Sequence, residues 1–187
     1  ILHLHLGDGE RGLELVRRAL TETELPARVF NPTHINRKKA LFDEALDVAR
    51  AGCTVDITAF PADQTCSEDE LAADEALLRY LDSGASPDRI TMSSDGGGCL
   101  PVFNAQGEMQ RFDIGQPATL SDTLARLLTR GAPLDRVLPA FTLNPARLLR
   151  FHDRGRIEIG AAADLVVLNN EHRIEKVMTR GIWRTAS

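Results

Sequence analysis

The chain has 187 residues, 43% of them hydrophobic, with 22 lysines and arginines against 27 aspartates and glutamates and a formal charge of −5. That composition excludes a disordered chain, and a pI of about 5.5 with dispersed basic residues excludes a general affinity for nucleic acid. No apolar run approaches the roughly 20 residues that cross a bilayer, so no membrane partner is expected, and the location expected is cytoplasmic with Cys53, Cys66 and Cys99 as reduced thiols.

From Ile1 to about Ala140, short apolar runs alternate with longer amphipathic stretches, the pattern of repeated strand–helix units on a parallel sheet. The predicted strands are Ile1–Leu6, Ala27–Pro32, Thr54–Ala59 and Arg89–Ser93. Between them, Leu41, Ala45 and Val48 stripe one face of a helix over Arg37–Ala51, closed by Gly52. Ser67-Glu68-Asp69-Glu70 has the form of a capping box opening a helix through Leu77, Leu78 and Leu81 to Gly84. Asn104–Gln116 has the composition of an exposed loop. Helices are predicted over Leu120–Arg130 and Leu134–Phe141, and a last one near Asn144, with Pro145 in its first turn.

Beyond Arg150 the pattern turns to strands without helices: Gly155–Gly160, Asp164–Leu168, Ile174–Met178 and Gly181–Trp183. The boundary falls near Phe151–Gly155, which gives a β/α unit over 1–152 and a small β element over 153–187. A complete eight-unit β/α barrel takes roughly 250 residues. Barrel units in this chain therefore make only part of one.

Three residues lie where predicted strands end: His5, His34 and Asp95. Roughly 30 and roughly 60 residues separate them, one and two β/α units, which brings all three to one rim. Active sites of β/α barrels sit at that rim, and two imidazoles with a carboxylate suit zinc or a similar divalent ion. The chemistry implied is metal-assisted hydrolysis, in which the ion lowers the pKa of bound water and polarises a carbonyl while the carboxylate moves the proton. The bland alternative stands beside it: a strand-end histidine is also a common hydrogen-bonded structural residue, and SSDGGG also reads as a turn with a helix cap. His3 shares a strand face with His5 and is expected to pack beside the site or support it, while His152 and His172 are expected on the surface.

The runs HLHLGDG, PTHINR, TMSSDGGGCLP, TLNPARLL and GRIEIGAAADLVVLN together resemble the second half of metal-dependent amidohydrolases, and within them most closely the bacterial isoaspartyl dipeptidases. The resemblance covers nearly the whole chain. It implies an α/β fold: the C-terminal half of a TIM (β/α)8 barrel, strands five to eight, with a short β segment of a flanking β-sandwich. It implies that His5 and His34 bind the second of two zinc ions and that Asp95 touches the first. Asp95 would be general base and then acid, with metal-activated hydroxide as nucleophile on the β-aspartyl peptide bond of a small dipeptide. Arg37 matches an arginine that holds a substrate carboxylate, and its planar fork of donors suits that task. Cys99 falls where the family usually carries a substrate-contacting serine, a departure that replaces a good donor with a weak one.

The family's first-strand HxH pair and its bridging lysine would both precede Ile1, because no lysine lies before His5 or between His5 and His34. The expectation is a partial barrel whose first half comes from the same or another chain, in a homo-oligomer. Other amidohydrolase chemistry, on a cyclic amide or an N-acyl amino acid, is the alternative activity. A catalytically inactive binding or assembly module is the alternative class.

Overall fold

The structure is a computed structural model that describes residues 1–61, 69–104, 106 and 108–184. Four short strands, β1 (Leu2–His5), β2 (Phe30–Thr33), β3 (Val55–Thr58) and β4 (Ile90–Ser93), carry the helices α1 (Glu14–Glu22), α2 (Lys39–Arg50) and α3 (Ala73–Asp82) between them. β1 pairs with β2 and β3 with β4, both parallel. β2 and β3 are bridged by the Thr54 backbone amide, which donates to the Phe30 carbonyl at 3.3 Å, and by the Asn31 side-chain amide, which donates to the Thr54 carbonyl at 2.9 Å. The fold is mixed α/β, and its sheets are small and not closed.

Strand alternation sorts these residues into two faces. Phe30, Val55, Ile57, Ile90 and Met92 are buried in the apolar core. That core includes Leu41, Phe42, Ala45, Val48 and Ala49 of α2, spaced to cover one side of the helix. Tyr80 of α3 is fully buried, with its hydroxyl donating to the Ser86 carbonyl at 2.9 Å. The opposite strand face is polar throughout. Register places His3 beside Asn31 and His5 beside Thr33, then Asp56 beside Thr91 and Thr58 beside Ser93. Strands of parallel sheets are ordinarily apolar on both faces. The wholly polar second face of these strands departs from that pattern.

Several expectations need correction. Residues 69–72, just ahead of α3, are not helical: the Lys39 amide donates to the Asp69 carbonyl at 2.8 Å and the Leu71 amide to the Asn36 carbonyl at 2.9 Å. These bonds pin residues 69–71 along the turn before α2, so the helix starts at Ala73. Ser67 of the capping box lies outside the described residues. Ala27–Val29 forms a 3-10 turn ahead of β2. The stretch expected as a loop at Asn104–Gln116 contains β6 (Met109–Ile114), antiparallel to β5 (Cys99–Phe103). This hairpin strand holds Phe112 and Ile114 in solvent, so it lacks the one-sided burial that writes a strand signature.

The helices α4 (Ala118–Thr129), α5 (Leu134–Val137) and α6 (Leu143–Leu148) follow. Asp74 ties α3 to α4 through Arg126 and Arg130, at 3.4 and 2.6 Å. Buried Asn144 donates to the carbonyls of Pro87 and Ile90, both at 2.8 Å, so the asparagine of the NPA run anchors α6 to the start of β4. The last elements are β7 (Leu165–Leu168), β8 (Ile174–Thr179) and β9 (Ile182–Arg184), an antiparallel sheet in chain order. Gly155–Gly160, expected as a strand, forms turns with Ile157 and Ile159 almost wholly exposed. No strand pairs with it among the described residues, and Arg156 instead bonds Glu158 and the His152 carbonyl. No helix among the described residues is long and apolar enough to cross a membrane.

Candidate metal centre

β1 ends on His5, β2 ends one residue before His34, and β4 ends two residues before Asp95. One ligand atom from each of these three side chains lies within 4.8 Å of the other two. His34 is buried, Asp95 is half-buried and His5 is exposed, so the group sits at a mouth open to solvent on one side. The two imidazoles face each other, with His5 Nδ1 and His34 Nε2 3.0 Å apart. Metal–nitrogen bonds of about 2.1 Å put two ligands of one ion at most about 4.2 Å apart, so the three groups fit a single divalent cation after a small inward adjustment.

Backbone conformation assembles this group. His34 has φ 63° and Asp95 φ 49°, left-handed values that non-glycine residues rarely adopt and that concentrate at functional sites. In an extended continuation of β2, His34 would alternate away from Thr33 toward the apolar core. The left-handed turn returns it to the polar face, where it meets His5 and Thr58. Asp95 is held by close backbone packing. A Cβ on Gly98 would lie 2.7 Å from the Asp95 carboxyl, and one on Gly115 would lie 2.1 Å from the Asp95 carbonyl oxygen. Glycine at both positions is what lets the turn after β4 and the end of β6 close around Asp95.

Electrostatics favours neutral imidazole at His34. Burial, then the nearby Arg37 guanidinium, hold its pKa down to about 4, against the opposing pull of Asp95. A neutral imidazole offers the lone pair that a cation requires. Its Nδ1 lies 2.8 Å from the Thr58 hydroxyl, and Phe60 stacks on its ring with centroids 6.0 Å apart. His3 lies outside the three-residue group, with Nδ1 2.6 Å from Asn31 Oδ1 and its ring edge-on to His5 at 4.9 Å. His152 and His172 take no part in it.

Arg37 lies at the end of the short 3-10 turn Ile35–Arg37, 4.0 Å from the exposed carboxylate of Asp8. Its amide donates to the His34 carbonyl at 3.1 Å. Cys99 is a free, exposed thiol at the start of β5. A cavity of about 200 Å³ lies between Asn36, Phe60, Leu71 and Arg126; none of the three clustered residues lines it, though Phe60, which stacks on His34, does.

Sequence reasoning missed the residues beneath the mouth. Asp56 is buried and accepts three hydroxyl groups, from Thr33, Thr91 and Ser93, each at 2.6 Å. Burial pushes its carboxyl above the ordinary value, and the three donors offset part of that rise. Asn36 joins β3 to the segment before α3: it donates to the carbonyls of Thr58 and Leu71, both at 3.1 Å, and accepts the Thr58 amide at 3.0 Å. The available signal was the polar residue at every second position in V-D-I-T and I-T-M-S, inside strands otherwise apolar.

Residues 2–183 match the sequence profile of the amidohydrolase family. The structure superposes with a TM-score of 0.86 on a β-aspartyl dipeptidase of Fervidobacterium islandicum solved in complex with the β-Asp-Leu dipeptide, at 33% identity, over 98% of this chain and 46% of that one. An amidohydrolase of Thermotoga maritima shares the fold at 19% identity and a TM-score of 0.62, over 99% of this chain and 43% of that one. A deacetylase of Agrobacterium fabrum is 27% identical over 148 residues, 73% of this chain and 36% of its own length. The chain thus spans less than half the length of each of these relatives.

Proposed function

The chain belongs to the amidohydrolase family, and from that premise we propose that it forms part of a zinc hydrolase that cleaves the β-aspartyl peptide bond of small dipeptides. The observation that carries this reading is the convergence of His5, His34 and Asp95 within 4.8 Å at one mouth. The 33% identity to a dipeptidase solved with β-Asp-Leu supports the choice of substrate.

In this reading His5 and His34 would hold a divalent cation through imidazole lone pairs, with the Asp95 carboxylate beside them as a further ligand. A divalent cation held there supplies Lewis acidity to a carbonyl and to water. Asp95 takes a proton from the attacking water and returns it to the leaving amine. Arg37 binds a substrate carboxylate with its paired donors, displacing the weak contact with Asp8. Cys99, four residues past Asp95, lines the substrate side with a weakly donating thiol. Burial keeps His34 unprotonated through the neutral range, so protons do not compete for its lone pair.

The architecture that fits this reading takes β1 to β4 as strands five to eight of a β/α barrel over 1–152, and β7 to β9 as the contribution of 153–187 to a flanking sandwich. The first barrel half is supplied by the same polypeptide or by another chain, and the assembly is a homo-oligomer in the cytoplasm. A second reading, hydrolysis of an N-acyl group, has its own support in the 27% identity to a deacetylase.

The zinc-loaded full gene product, assayed on β-Asp-Leu, N-acetyl amino acids and dihydroorotate, is expected to turn over the first with the largest kcat/KM. Arg37→Ala is expected to raise KM for β-Asp-Leu about 10- to 100-fold with zinc retained. Absence of β-Asp-Leu turnover beside active N-acyl hydrolysis would replace the first reading with the second.

A further inference from the structure

Below the clustered ligands, the polar strand face holds a chain of hydroxyl groups that runs from Asp56 through Thr33 and Thr58 to His34. The Asp56 carboxylate is 3% exposed and is reached by Thr33, Thr91 and Ser93 at 2.6 Å, the separation of an O–H donating to an ionised carboxylate. A threonine hydroxyl has one proton. Thr33 commits that proton to Asp56, so its oxygen can only accept from Thr58 Oγ1, 3.4 Å away and the longest link in the chain. With its own proton turned toward Thr33, Thr58 offers a lone pair to His34 Nδ1, 2.8 Å away. The proton of the neutral ring then sits on Nδ1, and Nε2 keeps the lone pair that faces His5. The opposite direction would put the ring proton on Nε2, where a ligand lone pair is required.

We propose that Thr58, oriented through Thr33 by the Asp56 carboxylate, is a positioning residue that holds His34 as the Nδ1–H tautomer and so presents Nε2 to the cation; this rests on the metal reading of the site given above. Thr33, Asp56 and Thr58 are all buried, so bulk water does not compete for these bonds. Alternation makes the device possible. Asp56 and Thr58 are two residues apart on β3 and share a face, while Thr33 reaches them from the neighbouring strand.

The test is 15N NMR of the imidazoles in the metal-free protein, with His34 identified by its loss in a His34→Gln variant, together with zinc affinity by chelator competition. Both are measured on the wild type, Thr58→Val and Thr58→Ser. The wild type is expected to show His34 with a protonated Nδ1 and an unprotonated Nε2. Thr58→Val, which removes the hydroxyl, is expected to mix the tautomers and weaken zinc about 10- to 100-fold, and Thr58→Ser to stay within about threefold of wild type. A protonated Nε2 in the wild type overturns the proposal, as does a Thr58→Val protein with unchanged tautomer and affinity. If Thr58→Val does not fold, the wild-type tautomer and the serine variant decide. A wild type that takes up no zinc, yet shows the expected tautomer and its loss in Thr58→Val, overturns the metal reading and supports the orienting role of Thr58.

Discussion

Every residue of β3 (Val55–Thr58) is buried, and every residue of β9 (Ile182–Arg184) is exposed. Both are short strands with β-branched residues, so propensity does not separate them. The difference is what lies on either side. β3 has helices against its apolar face and a hydrogen-bonded polar layer against the other, all supplied by this chain. Val166, Ile182 and Trp183 of the β7–β9 sheet remain about half exposed. One region is therefore specified by contacts the chain makes with itself, and in the other local pattern makes strands that its own residues leave uncovered.

The largest expected break in this contrast is Asn36→Ala. The substitution strips the Thr58 amide and the carbonyls of Thr58 and Leu71 of a buried partner. It should destabilise the protein by about 3–5 kcal/mol in urea unfolding, and a loss below about 1 kcal/mol would deny the β3 region its role as the self-specified part.

Acid should act on the same region. The folded His34 pKa is about 4 against an ordinary 6.5. Between those values the unfolded chain binds more protons, so stability from this group is fully present above pH 6.5 and is lost as pH falls through about 4. Asp56 works the other way, since its raised folded pKa gives stability below the ordinary carboxylate value that fades as pH rises through the folded one. The difference in unfolding free energy between wild type and His34→Gln, followed from pH 7 to pH 4, isolates the His34 contribution and should shrink with acid.

The smallest effect is expected at the exposed end. Ile157→Ser, at a side chain 91% exposed, should change stability by no more than about 0.5 kcal/mol. A much larger loss would mean that this residue is covered in solution, and the contrast between the two regions would have to be redrawn.

Strands and helices were legible wherever one face is buried against the chain itself. The stripe of α2 and the apolar cores of β2 to β4 could be read from periodicity alone, to within a few residues at their ends. The β6 hairpin strand and the turns at Gly155–Gly160 were misread for one reason: in neither is burial one-sided, so polarity and structure lose their usual link.

What the sequence determined by itself is the order of the elements and the placement of His5, His34 and Asp95 at strand ends, because both follow from local alternation and spacing. It also carried the family resemblance, in short runs such as PTHINR and TMSSDGGGCLP. Tertiary structure alone decided how closely these three side chains approach, that His34 turns back through a left-handed backbone, and that Asp56 and Thr58 stand behind it. Those facts depend on register between strands roughly 30 residues apart and on burial from all sides. Neither quantity is local, so no window along the chain contains it.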